Sequence, residues 1–220
     1  MMKRRWLVAL LTLLTAGLAA CLPWQRPPEG QLVYVGPTEQ GVAAGDFVPG
    51  TDIQYVGMTE QGAELLIGGQ KAEKKKGDSL DWDGHPLSGV TLNLKQRIVW
   101  FTGEKMHAAG TARLAIDEPQ PEAMPFRDEL PVLYKLPVGY TVKRGEAIPG
   151  TTISYLGASD AGAELGGIEG YPYRKIADSI TWTGKLREGV YLDTTLRVVL
   201  YNDEQLQVAG LATIGLAPSR

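Results

Sequence analysis

The feature that most constrains this chain is an internal repeat with a period of one hundred residues. Residues 45–115 align with residues 145–215 without a gap, and 25 of the 71 aligned positions are identical. Weaker matches extend the alignment backwards through Tyr34 and Tyr134. Such a repeat predicts two copies of one structural unit, because residues at equivalent positions require equivalent environments.

Apolar residues alternate with polar ones in both copies, and turn residues separate the alternating segments. Ile53 and Tyr55, for example, have polar neighbours on both sides. A period of two is typical of strands with one buried face, and we find no helical pattern after the first twenty residues. The sequence therefore predicts an all-β fold of two tandem homologous modules, each a small β-sandwich or β-barrel, with these two architectures left open.

In both copies the apolar residues of each strand occupy the same alternate positions. A shift of one residue would turn these side chains to solvent, so the shared positions identify the buried face and hence the predicted core. In module 1 it contains Ile53, Tyr55, Leu80, Trp82, Val90, Leu92, Leu94, Met106, Ala108, Gly110, Ala112 and Leu114. In module 2 it contains Ile153, Tyr155, Ile180, Trp182, Val190, Leu192, Leu206, Val208, Gly210, Ala212 and Ile214. Pro49-Gly50 and Pro149-Gly150 predict type II turns, in which the glycine accepts a positive φ.

The first twenty residues have the pattern of a cleaved signal peptide. Lys3, Arg4 and Arg5 precede an apolar segment that is only fifteen residues long from Trp6 to Ala20, and a helix needs roughly 20 to span a bilayer. Leu18-Ala-Ala-Cys21 resembles the lipobox of bacterial lipoproteins at all four positions. The resemblance implies lipidation of Cys21 with a diacylglyceryl group, cleavage before it, and acylation (such as palmitate) at the new amino end.

The anchor predicts a location on the extracytoplasmic face of the cell membrane or outer membrane. An ordinary secretory signal with an incidental cysteine is the alternative. Residues 21–30 are Pro-rich and are typical of a tether, after which we place module 1 at 31–116. Residues 117–130, rich in proline and acidic residues, predict a semi-extended linker, and module 2 follows at 131–220.

Charge gives no support for a nucleic-acid partner. Cleavage removes three of the 22 basic residues, which leaves 19 against 25 acidic ones and a net charge of −6. Nucleic-acid binding normally requires a basic surplus or stripe. The cluster Lys71, Lys74, Lys75 and Lys76 is read as a solvated loop or edge strand, with contact to anionic headgroups as the alternative.

One strand of each copy is apolar on both faces, namely Ile98-Val-Trp-Phe101 and Val198-Val-Leu-Tyr201. Such a strand needs cover on both sides. The second face could contact the sister module, a partner or a loop, so contact between the modules is a possibility that the sequence leaves open.

The sequence contains no motif of a known catalytic or metal-binding class. His85 and His107 are replaced by Lys185 and Gln207 in the second copy, and Cys21 is the single cysteine, so we predict no metal site and no catalytic residues. Val142-Lys-Arg-Gly-Glu-Ala-Ile-Pro-Gly150 resembles the entry segment of lipoyl and biotin carrier barrels. Their Met-Lys-Met attachment turn is missing here, so no cofactor is implied.

Several polar residues recur in both copies: Glu64 and Glu164, Asp78 and Asp178, and Arg97 and Arg197. We predict structural roles, with each arginine paired to a carboxylate of its own module and Asp78 serving a turn. The alternative is a glycan hydrolase that uses Glu64 and Asp78 as acid and base. Trp82 and Trp182 are predicted core residues, with sugar stacking as the alternative.

The copies differ most between residues 65 and 78. Module 2 carries two tyrosines and an arginine there, Tyr171, Tyr173 and Arg174, among flexible glycines, and these residue types contribute much of the energy of interfaces. They are the candidate contacts for an envelope protein or glycan. The sequence thus favours a non-catalytic binding or assembly unit of the cell envelope, with a glycan hydrolase or a structural spacer as alternatives.

Overall fold

The computed structural model describes residues 30–127 and 129–217, and it confirms the prediction of an all-β fold. The signal peptide, Cys21 and the tether up to residue 29 lie outside these residues. Module 1 contains seven strands: β1 Gln31–Ala43, β2 Ile53–Met58, β3 Ala63–Ile67, β4 Gln70–Lys74, β5 Ser79–Leu87, β6 Val90–Phe101 and β7 Lys105–Asp117. The remaining strands are β8 Glu122–Ala123, β9 Val132–Lys143, β10 Ser154–Ser159, β11 Gly162–Gly166, β12 Tyr173–Arg174, β13 Ser179–Arg187, β14 Val190–Tyr201 and β15 Gln205–Leu216.

Each half of the chain forms two antiparallel sheets, which is the arrangement of a β-sandwich. In the first half the strand orders are β1-β7-β6-β5 and β2-β3-β4; in the second they are β8-β13-β14-β15-β9 and β10-β11-β12. Pairing registers and bulges recur at an offset of one hundred residues. Ser79 pairs with Arg97 as Ser179 pairs with Arg197, for example.

The two sheets of each module enclose the predicted core. All of the predicted core residues are buried except Trp82, Gly110 and Gly210, which are half-buried. Tyr55 donates a hydrogen bond to the carbonyl of Thr102, and Tyr155 does the same to Asn202. These bonds join β2 and β10 of the small sheets to turns of the large ones.

The turns at Pro49-Gly50 and Pro149-Gly150 have the predicted geometry. Gly50 has a φ of 78° and Gly150 a φ of 79°, and in the first turn the N–H of Thr51 donates to the carbonyl of Val48 at 3.0 Å. A positive φ at the third position is characteristic of the type II turn, so this prediction is confirmed.

The two modules contact each other through equivalent surfaces. Strands β1 and β9 lie together, and the buried apolar residues of both modules form a single cluster. The Tyr134 hydroxyl donates to the carbonyl of Pro49 at 2.6 Å, while a Cβ atom on Gly150 would lie 2.7 Å from the hydroxyl oxygen of Tyr34. The tyrosine of each module therefore meets the turn of the other, as in a two-fold symmetric interface.

A second contact lies at the tips of the β5–β6 and β13–β14 hairpins. Arg187 donates from Nη1 to the carbonyl of Asp117 at 2.6 Å and to that of Gly89 at 3.3 Å. Leu87, its counterpart in module 1, lies against Gly189. The interface therefore runs through β1, β9 and these tips.

The strand segments that are apolar on both faces, residues 98–101 and 198–201, do not form the contact between the modules. Val99, Trp100, Val199 and Leu200 are exposed, because a bulge in each strand turns two consecutive residues outward. Trp100, 42% exposed, stacks on His107 with ring centroids 4.0 Å apart.

The linker is folded onto module 2. Glu122 and Ala123 pair with Lys185 and Gly184 at the outer edge of β13. The N–H of Gln120 donates to the carbonyl of Leu186 at 2.6 Å. Sequence analysis predicted an extended linker but not this docking.

Among the described residues no helix is long and apolar enough to span a membrane.

Candidate partner-binding site

The segment that differs most between the copies is an exposed loop, residues 167–174, here called the tyrosine loop. It follows β11 and ends with the two residues of β12. Gly167 and Gly170 have φ values of 74° and 80°, which glycine adopts without steric cost. Tyr171 is 66% exposed and Tyr173 half-buried. Their rings lie edge to face with centroids 5.5 Å apart, an arrangement that aromatic pairs favour.

Arg174 holds the tyrosine loop in place. Its Nη1 donates to the carbonyls of Tyr171 at 2.6 Å and Tyr173 at 2.9 Å, and its Nε donates to Ser179 at 3.3 Å. No carboxylate of residues 30–127 or 129–217 forms a salt bridge with it. The three predicted residues are therefore brought together, with the main chain of the two tyrosines held by hydrogen bonds from the arginine.

A cleft of about 660 Å³ opens beside the tyrosine loop. Arg174 and Glu169 line it on one side, and Met124 and Pro125 of the linker on the other. Trp182 also lines the cleft, but it is only 6% exposed, and its Nε1 donates to Thr152 Oγ1 at 2.9 Å. The predicted core position of Trp182 is confirmed.

The same region of module 1 is an ordinary hairpin. Strand β4 runs for five residues, whereas β12 has two. Lys71, in the place of Tyr171, forms an ion pair with Glu64 at 3.0 Å. Module 1 therefore lacks the aromatic surface of the tyrosine loop. Lys71 and Lys74 lie on an edge strand, and Lys75 and Lys76 lie in the exposed turn after it, in agreement with the predicted loop or edge strand.

A second cleft, of about 710 Å³, is lined mainly by module 1 and closed at one end by Pro131 and Val132 of module 2. Trp82, His85 and Pro86 of β5 line one side, and Phe47 and Asp52 lie on the other. Trp82 is half-buried and donates from Nε1 to Asp52 Oδ1 at 2.6 Å. Sequence analysis missed Phe47, which is 54% exposed; the signal was that module 2 has alanine at this position.

The predicted pairing of Arg97 and Arg197 with carboxylates is wrong. Arg97 Nη1 donates to the carbonyl of Gly77 at 2.7 Å, and Arg197 Nη1 donates to that of Ala177 at 2.9 Å. Because each arginine pairs across the ladder with Ser79 or Ser179, its side chain reaches the turn just before that strand. Both bonds are exposed, and both support a turn.

The recurring carboxylates have separate partners. Asp78 Oδ2 accepts a hydrogen bond from the N–H of Lys75 at 2.7 Å, and Asp178 accepts one from Lys175 at the same distance. This is the predicted turn chemistry. Glu64 forms an ion pair with Lys71, while Glu164 lies opposite Tyr173 in the ladder. None of these four carboxylates lines either cleft.

The histidines occupy separate positions. His107 Nδ1 lies 3.4 Å from Glu39 Oε1 on the outer face of the large sheet, and His85 Nδ1 lies 3.3 Å from the carbonyl of Val90. Across residues 30–127 and 129–217, no three histidine, cysteine or acidic side chains are grouped as a metal site requires.

Comparison with known proteins gives no match: no protein-family model, curated protein or solved structure is significantly similar to this chain.

Proposed function

We propose that this chain is a lipid-anchored, non-catalytic binding or assembly unit of the bacterial cell envelope. Cys21 carries the acyl chains, and the tyrosine loop of module 2 contacts an envelope protein or glycan on the extracytoplasmic side. The anchor part rests on the basic residues, the short apolar segment and Leu18-Ala-Ala-Cys21. Two or three acyl chains hold a protein firmly, since each buried methylene contributes about 0.8 kcal/mol.

The observation that carries the binding part is the state of Tyr171. The residue is two-thirds exposed, its ring packs on a second tyrosine, and its main-chain carbonyl accepts a hydrogen bond from Arg174. Tyrosine and arginine dominate the energy of interfaces, and a surface ordered beforehand loses less conformational entropy on binding. A glycan ring could stack on the same tyrosine face.

The carboxylates give no comparable support to hydrolysis. A glycosidase needs two carboxyl groups facing one substrate, about 5 to 9 Å apart. Here Glu64 is paired with a lysine and Asp78 accepts a main-chain hydrogen bond within its own turn. The positions of these carboxylates therefore support binding over hydrolysis.

A pull-down from envelope extract tests the binding part. Residues 22–220 serve as bait, beside the double variant Tyr171→Ala, Tyr173→Ala and the matched control Lys71→Ala, Glu73→Ala at equivalent positions of module 1. The double variant should recover at least about tenfold less partner, since each hot-spot side chain contributes about 2 kcal/mol. Equal recovery with all three baits would remove the tyrosine loop from the binding site.

Fractionation tests the anchor separately. Cys21→Ala in the full chain should move the protein from the membrane to the soluble fraction. Retention of the variant in the membrane without detergent would show that something other than the acylated cysteine holds it there.

A further inference from the structure

Two aromatic side chains line the second cleft. Phe47 is 54% exposed, and Trp82 is half-buried. The volume of the cleft, about 710 Å³, falls within the range of roughly 300 to 1,000 Å³ that small-molecule sites occupy. Aromatic surface that stays open to water inside a cleft gives a favourable free energy when a ligand covers it. The cleft is therefore suited to a small ligand with an apolar part.

The wall that carries Phe47 is ordered before any ligand binds. The N–H of Gly45 donates to the carbonyl of Tyr55 at 2.7 Å, and the N–H of Tyr55 donates to the carbonyl of Asp46 at 2.9 Å. Phe47 itself forms a β-bridge with Gln54. These main-chain bonds hold the segment between β1 and β2 on the small sheet, so the exposed phenyl group is attached to a fixed backbone.

The wall that carries Trp82 is fixed as well. The indole lies over Gly84, where a Cβ atom would collide with the ring. Its Nε1 donates to Asp52 Oδ1 at 2.6 Å. A site whose walls are already ordered loses less conformational entropy on binding than a site that has to form around its ligand.

The carboxylates of the cleft determine which charge a ligand should carry. Asp46 and Asp52 line it, and no lysine or arginine is among its lining residues. Within residues 30–127 and 129–217 neither carboxylate forms a salt bridge. A neutral ligand that covered these groups would remove charge from water without replacing it, which is unfavourable. A cationic ligand supplies the opposite charge, and the face of an indole ring also attracts a cation.

Module 2 lacks this combination of residues. It has alanine, threonine and lysine where module 1 has Phe47, Asp52 and His85. The lysine, Lys185, forms an ion pair with Glu122 at 3.4 Å. Because module 2 forms the same two sheets without these aromatic and acidic side chains, the fold of the module does not require them.

We propose that the second cleft binds an organic ammonium ion. Phe47 and Trp82 pack against its alkyl groups, and Asp46 and Asp52 balance its charge. Module 1 is thereby a small-molecule receptor, beside the contact surface of module 2. The site depends on neither the lipid anchor nor the tyrosine loop, so it would remain if both of those proposals failed.

Calorimetric titration of the full mature chain, in a detergent with an uncharged headgroup, tests the site. The probes are butylammonium and choline, each compared with its uncharged counterpart, butanol or dimethylbutanol. Phe47→Ala introduces the residue that module 2 carries. Asp52→Asn removes the charge and keeps an oxygen that can accept from Trp82. Asp81→Asn is the matched control, because it removes the same charge from β5 outside the cleft.

We expect at least one of the two cations to bind at one site per chain. Its uncharged counterpart should bind about tenfold more weakly, since a cation over a desolvated aromatic ring gains a factor of this order. Phe47→Ala and Asp52→Asn should each weaken the binding of that cation by about tenfold, and Asp81→Asn should leave it unchanged. Thermal unfolding of each variant checks that it remains folded.

Absence of binding for both cations would overturn the proposal, as would equal affinity for a cation and its uncharged counterpart. An equal loss of affinity in Asp52→Asn and Asp81→Asn would also contradict it, because the cation would then be attracted by the net charge of the chain and not by the cleft. Tighter binding of a neutral methyl glycoside than of either cation would replace the ammonium site with a sugar site.

Discussion

The hydroxyl of Tyr134 donates a hydrogen bond of 2.6 Å to the carbonyl of Pro49, and this bond joins the first large strand of module 2 to a turn of module 1. The equivalent residue, Tyr34, points at the corresponding turn of module 2. Its buried hydroxyl makes no hydrogen bond to that turn, and its polar neighbour is the hydroxyl of Tyr140. The two halves of the interface are therefore alike in shape and different in hydrogen bonding.

This difference predicts unequal effects of the same substitution. Tyr134→Phe should lower the free energy of unfolding by about 1 kcal/mol, because a hydrogen bond is lost and the carbonyl of Pro49 is left unpaired. Tyr34→Phe should lower it by less than about half of that amount, because this hydroxyl makes no hydrogen bond to the turn and has only Tyr140 beside it. Urea unfolding followed by circular dichroism measures both.

Equal destabilisation by the two variants would show that both hydroxyls make comparable stabilising interactions, and it would contradict this difference between the two halves of the interface. The comparison is controlled internally, since the substitutions remove the same atom at equivalent positions of the repeat.

The interface also predicts a loss of stability at alkaline pH. Burial raises the pKa of Tyr34 and Tyr134 well above 10, and it raises the pKa of Tyr140 to about 12. An unfolded chain releases these protons near pH 10 while the folded chain retains them. Their contribution to stability is therefore complete below pH 10 and decreases between pH 10 and 12.

The expected slope is at most about 1.4 kcal/mol per pH unit for each tyrosine. Unfolding free energies at pH 9, 10, 11 and 11.5 measure it, and Tyr140→Phe should reduce the slope relative to the wild type. Identical profiles for the wild type and Tyr140→Phe would remove Tyr140 from this explanation.

A backbone difference between the copies predicts a stabilising substitution. Ala177 has a φ of 72°, in the left-handed region, whereas its counterpart Gly77 has a φ of 91°. This conformation costs a residue with a Cβ roughly 1 kcal/mol, and glycine avoids that cost. Ala177→Gly should therefore raise the unfolding free energy by about 1 kcal/mol, and Gly77→Ala should lower it by a similar amount.

Thermal unfolding of both variants measures this pair. A decrease in stability for Ala177→Gly would show that the alanine methyl group makes contacts that outweigh the backbone strain.

Much of the fold could be predicted because the repeat supplied two independent patterns. Ile53 and Tyr55 alternate with polar neighbours as Ile153 and Tyr155 do, and the shared parity identified the buried face. The turn at Pro49-Gly50 followed from the φ that glycine alone accepts readily.

The interface and the docked linker could not be predicted in the same way. A buried tyrosine such as Tyr34 has the same pattern whether it lies in one module or between two. The prolines of the linker are typical of an extended chain without strand pairing, so they gave no indication that residues 122 and 123 form an edge strand. Arg97 was assigned to a carboxylate on charge alone, but the strand register placed it beside the carbonyl of Gly77.

The sequence difference between the two copies was the best indicator of the candidate site. Tyr171, Tyr173 and Arg174 lie together in an ordered exposed loop, and the sequence had grouped them because module 1 carries lysines there. Phe47 and Asp52 line the second cleft. The sequence marks Phe47 only by a single difference from Ala147, which is weaker than the run of differences at the tyrosine loop.

Photo-cross-linking in intact cells tests the proposed binding function most directly. A photo-reactive phenylalanine derivative replaces Tyr171 in the full-length chain, and the same residue replaces Lys71 at the equivalent position of module 1 as the control. We predict a covalent adduct of defined mass in the membrane fraction for position 171 and none for position 71. Absence of an adduct at position 171, or the same adducts at both positions, would contradict a binding role for the tyrosine loop.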